Sequence, residues 1–235
     1  GGLPEAEARH SLGVLADANG DTEAASRSYE RAFALRSALL PPDHPDLGRS
    51  LNALGNVHLD RGEYDQALVR YRDAHALRER VFGPNHPEVA GALNNVSLIL
   101  RRQRDYAGAR AALERAVAIY AGGLGEDNPR MAQAINNLGT VLREGGDAVA
   151  AEAQHRRAIR IRERALGPEH PELAILYNNL GGAYLLLKRP DEAVLELPIP
   201  PGDEIEIETD CMVKVRLRLE PRPGWAREAA GRGCS

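Results

Sequence analysis

The chain has 235 residues, a formal net charge of −4 and two cysteines. The acidic balance lacks the basic surplus that nucleic-acid binding needs, and no apolar run approaches the roughly 18 residues of a membrane span. Cys211 and Cys234 both lie near the C-terminus and cannot staple the residues before them, which fits a reducing, cytoplasmic compartment.

In chain order, Gly1-Gly2-Leu3-Pro4 has no signal-peptide character, and the missing Met suggests an excised or processed fragment. The sequence then repeats every 42 residues: His44-Pro45, His86-Pro87, Asn128-Pro129 and His170-Pro171 are in register. So are two alanine columns, Ala25, Ala67, Ala109, Ala151 and Ala193, and Ala32, Ala74, Ala116 and Ala158. A third column, Leu12, Leu54, Val96, Leu138 and Leu180, is followed by Gly except at Ser97. A fixed period in this range means a solenoid whose units contact only their neighbours.

Each unit reads as a helical hairpin. Pro45 follows His44 as Pro follows an N-cap, and Leu47, Leu51, Leu54, Gly55 and Val57 keep helical spacing. Gly62 stops that helix; a second starts near Tyr64 and closes at Phe82-Gly83. The predicted pairs are 4–18 with 22–39, 45–60 with 64–81, 87–102 with 106–121, and 129–144 with 148–165. A fifth first helix spans 171–187, but Pro198, Pro200 and Pro201 forbid its partner. The alanines belong where facing helices come closest, and a larger side chain there overpacks by about 1–3 kcal/mol.

Leu54-Gly55, Ala67, Tyr71 and Ala74 resemble the tetratricopeptide repeat. The 42-residue unit, with Leu93-Asn94-Asn95 and the run Leu166 to Glu172 (LGPEHPE), looks like the repeats of kinesin light chains and their bacterial relatives. The resemblance covers about residues 5–197 and implies an all-α, right-handed superhelical solenoid of helical hairpins without enzymatic activity. It also implies acidic, or aromatic-plus-acidic, linear motifs as ligands.

The chain thus divides into a solenoid of about four and a half repeats over 1–197 and a Pro-bounded tail over 198–235. In the tail, residues 204–208 and 213–219 alternate with period two, predicting a short C-terminal β-hairpin over 203–220. An isolated hairpin is marginal in water, so its apolar face should cover the end of the fifth repeat or pair two copies as a homodimer.

In such solenoids the first helices line the concave side. Two adjacent columns fall there: His10, Asn52, Asn94, Asn136, Asn178, and Ser11, Ala53, Asn95, Asn137, Asn179. Asn is disfavoured mid-helix by roughly 0.5 kcal/mol against Ala, so seven of them cost about 3 kcal/mol and call for an offset. Amide groups donate to and accept from an extended peptide backbone, which makes Asn52, Asn94, Asn95, Asn136, Asn137, Asn178 and Asn179 candidate peptide-binding residues. The alternative is that a column bonds neighbouring helices within the scaffold; one column of each kind is expected. Arg101 and Arg143 are further candidates for a carboxylate partner, against a plainer reading as surface charges balanced by Asp60 and Glu144.

The spaced His44, His86 and His170 cannot gather on one metal ion and read as helix-start residues. Gly122-Gly123-Leu124-Gly125 joins two helices and lacks the strand and the Lys-Ser/Thr sequel of a phosphate loop. No catalytic constellation, cofactor motif or prenylation box is visible. The expected function is a non-enzymatic scaffold for a peptide segment of a partner protein. The rivals are self-assembly through the tail or last repeat, or a sensor fragment of a larger signalling protein.

Overall fold

Residues 2–125, 127–189, 206–208 and 214–216 are described by a computed structural model. Among them are nine helices: α1 (Leu3–Ala18), α2 (Thr22–Leu39), α3 (Pro45–Asp60), α4 (Tyr64–Phe82), α5 (Pro87–Arg102), α6 (Tyr106–Leu124), α7 (Pro129–Glu144), α8 (Ala148–Leu166) and α9 (Glu172–Leu186). Within the segment 203–220 only the backbone of Glu206–Glu208 and Lys214–Arg216 is described, pairing antiparallel with Ile207 opposite Val215; the rest of that segment, Ala193, both cysteines and the broken second helix of the fifth repeat lie outside the described residues. The main departure from the predicted spans is at α6, which continues through Gly122 and Gly123 to Leu124. Its stop is Gly125, at φ 84°.

The helix starts follow from side-chain capping of amides that have no intrahelical partner. Nδ1 of His44 and of His86 accepts the amide two residues on at 3.2 Å, Asn128 Oδ1 does so at 2.9 Å, and His170 Nδ1 at 3.3 Å. At the second helices, Asp21, Asp105 and Asp147 accept the amide three residues on at 2.9, 2.9 and 3.0 Å. The turn within each hairpin uses a left-handed residue at one fixed position: Gly20, Gly62, Arg104, Gly146 and Lys188.

Each helix packs chiefly on its chain neighbours, and α7 also meets α5 and α9, so the first helices form one layer and the second helices the other. The described alanines of both columns are at most 1% exposed. A continuous apolar core runs from Ala67 to Tyr184, with a separate small cluster of Ala25, Tyr29, Ala53, Leu54 and Val57.

The glycines of the third column are explained by their neighbours. A Cβ at Gly13, Gly55 or Gly139 would lie 2.5, 2.5 or 2.7 Å from the ring of Tyr29, Tyr71 or His155, respectively. The exception, Ser97, belongs to the repeat whose equivalent second-helix residue is Leu113. Without a ring over it, the position accommodates a Cβ and a hydroxyl, which donates to the Asn94 carbonyl at 2.6 Å.

Candidate peptide-binding groove

The two asparagine columns do not divide into one internal and one external set. They bond to each other across repeats. Asn95 Nδ2 donates to Asn52 Oδ1 at 2.6 Å, Asn137 Nδ2 to Asn94 Oδ1 at 2.8 Å, and Asn179 Nδ2 to Asn136 Oδ1 at 3.1 Å. The second-column amide of each repeat thus reaches back to the first-column carbonyl of the repeat before it. This offsets the helix-propensity cost inside the scaffold and still leaves hydrogen-bonding capacity, since each amide has two N–H donors and two acceptor lone pairs. Asn94 keeps its Nδ2 donors and Asn95 keeps its Oδ1.

Asn136 is the most committed of the set. It is buried, and its Oδ1 also meets His155 Nδ1 at 3.0 Å. Because that oxygen can only accept, Nδ1 carries a proton. Burial, then Arg143, depresses the His155 pKa to about 4. Asn178 is exposed at the last rung, and Asn179 is half-buried.

Amides of both columns border a concavity of about 420 Å³ that side chains from α3 to α8 share. Asn52, Asn94, Asn95 and Gln133 supply its amide groups, and Tyr120 an aromatic wall. Its charges are Arg78, Arg130 and Arg162 against Glu88. Glu88 lies 3.9 Å from Arg78 and 3.4 Å from Arg130, both long for ion pairs, while Arg162 is held by Glu172 at 2.7 Å. Burial pushes the Arg78 guanidinium pKa down, outweighing Glu88, which holds it up. One carboxylate between two arginines leaves positive charge uncompensated, and Arg78 is partly stripped of water.

Arg101 and Arg143 stand elsewhere, near the C-terminal ends of α5 and α7. Arg101 donates to Glu144 at 2.6 Å, and Arg143 approaches the same oxygen at 3.9 Å. The balancing role expected of Glu144 is present. Asp60 instead stands near Asp17, with no cation on it. Sequence reasoning missed Arg78, Tyr120, Arg130, Gln133 and Arg162. A signal existed: Arg36, Arg78, Tyr120 and Arg162 are 42 apart, but on second helices, whereas the concave side is expected of the first helices.

Among the described residues, no group of His, Cys, Asp and Glu is arranged to hold a metal ion, and no helix is long and apolar enough to cross a membrane.

Paired helices stacked in register, with a polar concavity on the inner layer, define a helical-repeat solenoid with a groove. The tetratricopeptide-repeat family model matches residues 4–80, 46–122 and 124–196, and the chain belongs to that family. The crystal structure of BtubC (BKLC) from P. vanneervenii is similar, with 25% identity and a TM-score of 0.70 over 80% of this chain and 74% of that one. A putative kinesin light chain of Podosopora anserina with nearly identical TPR-like repeats matches at 21% identity and a TM-score of 0.69, over 80% and 89%. MamA protein matches at 22% identity and a TM-score of 0.55, over 81% and 86%. The repeats are of the kinesin-light-chain-like type. No curated protein matches in sequence.

Proposed function

We propose that the chain is a non-enzymatic, cytoplasmic scaffold that holds an extended segment of a partner protein along the first-helix layer, with an acidic side chain of the guest in the concavity. The observation that carries this reading is the excess of Arg78 and Arg130 over Glu88 beside open amide groups. A guest carboxylate would complete the charge balance, and Asn94, Asn95 and Gln133 can bond a peptide backbone on both its donor and acceptor sides. Tyr120 offers an apolar wall to an aromatic neighbour of that acid. Asn52, Asn137, Asn178 and Asn179 serve the guest only through capacity the ladder leaves over, and Asn136 serves it by fixing α7. Arg101 and Arg143 belong to a second, more distant contact.

The test uses residues that border the concavity but carry no ladder bond. A fluorescent acidic dodecapeptide containing one Trp, and its counterpart with Lys for every acid, are titrated by anisotropy. The acidic peptide should bind the native chain, the basic one should not, and Arg130→Glu or Gln133→Ala should weaken binding about tenfold or more. Helicity should be unchanged in both variants. Equal binding of the two peptides, or an unaffected Arg130→Glu variant, removes the groove from consideration.

A further inference from the structure

We propose that the first hairpin, α1–α2, opens from the stack as one cooperative unit while the rest of the solenoid stays closed. The junction between repeats one and two lacks what holds the others. Amide rungs cross the three later junctions, but here Ala53 occupies the donor position and His10 the acceptor position, where its Nδ1 is buried without a partner. At one of those junctions, between α5 and α7, Arg101 also bonds Glu144, 43 residues on. The equivalent pair at the first junction is Asp17 and Asp60, two like charges, and burial together with Asp17 pushes the Asp60 carboxyl pKa up.

The apolar seam is also smaller. The cluster of Ala25, Tyr29, Ala53, Leu54 and Val57, with partly buried Ala16 and Phe33 against it, joins α2 to α3, whereas the larger core that begins at Ala67 runs through all the later junctions. The connection differs too: Pro41-Pro42 stands where the other repeats close their second helices with left-handed Gly83, Gly125 and Gly167.

Polar and ionic contacts complete the junction. Arg36 bonds Ser50 at 2.7 Å, Arg49 bonds Glu7 at 3.2 Å, and Arg61 bonds Glu23 at 2.7 Å. Two of these three are exposed ion pairs that salt screens. Opening bares Leu54 and Val57 of α3, which pack with Ala25 and Tyr29 of α2. The concavity takes no side chain from α1 or α2, so this inference stands apart from the peptide-binding reading.

Native-state hydrogen exchange on the full chain, read by mass spectrometry, tests it. The amides of α1 and α2 should exchange through one shared opening, faster than those of α5–α8, and several-fold faster still in about 0.5 M salt. Ala53→Asn combined with Asp17→Arg supplies the missing rung and an ion pair. It should slow that opening about tenfold, the effect of two contacts of ordinary strength, and leave α5–α8 unchanged. Asp17→Asn alone, which only removes repulsion, should slow it by a smaller factor. Protection of α1–α2 equal to that of α5–α8, exchange graded inward from Leu3 as in simple fraying, or no response to either variant would overturn the proposal.

Discussion

Gly55→Ala is a substitution that helix propensity alone would favour by about 1 kcal/mol, since Gly is the poorer helix former. The packing predicts the opposite outcome. The new Cβ would meet Tyr71 Cε1 at 2.5 Å and Cδ1 at 2.7 Å. That ring has little room to retreat: Tyr71 is 2% exposed, and its hydroxyl donates to Asn56 Oδ1 at 2.7 Å. Overpacking of roughly 1–3 kcal/mol, added to distortion of that bond, should leave a net loss of about 1–2 kcal/mol. The third repeat supplies the compensating pair, Ser97 with Leu113. In urea unfolding followed by circular dichroism, Gly55→Ser and Tyr71→Leu should each destabilise. The double variant should recover at least about 1 kcal/mol relative to their sum. Gly91→Ala, where the nearest atom would be the Tyr120 hydroxyl at 3.5 Å, is the control and should stabilise. A Gly55→Ala chain as stable as the native one, or strict additivity of the pair, would refute the account of the glycine column.

Arg104 holds a left-handed turn at φ 62° where three other repeats use Gly, so Arg104→Gly should raise the unfolding midpoint, by about 0.5–1 kcal/mol in stability. His155 titrates at about 4 in the folded chain, against ~6.5 when unfolded. The unfolded state therefore takes up its proton first as pH falls. Stability from this group is whole above ~6.5 and declines between ~6.5 and ~4 by roughly 3 kcal/mol. His155→Tyr, matching Tyr29 and Tyr71, should flatten that part of the pH profile in urea titrations. Arg36→Ala removes a side chain 1% exposed that bonds both Ser50 and Glu7, and should cost about 2–3 kcal/mol by thermal unfolding.

The hairpin boundaries and the buried alanines were legible in the sequence because both follow from local chemistry repeated in register. His44, His86 and Asn128 sit before prolines in the positions that capping requires. Asp21, Asp105 and Asp147 carried the same information for the second helices and could have been read in the same way. The asparagine pairing was not legible. A column shows which face a residue occupies, but the bond from Asn137 to Asn94 spans 43 residues, one more than the period. That offset comes from how successive helices are staggered, which only three-dimensional stacking shows. The concavity was hidden for a related reason: Arg78, Tyr120 and Arg162 lie near the ends of second helices, where side chains reach past the layer boundary.

Shared ownership of the concavity by six helices, α3 to α8, limits how the protein can be divided or diversified. No single hairpin lines the whole concavity, so the smallest fragment that retains it must carry three consecutive repeats. Exchanging the middle module would alter the lining at two joints at once. Duplicating the middle repeat of this block would separate Arg78 from Arg130, whereas duplicating either flanking repeat would leave one intact copy of the concavity.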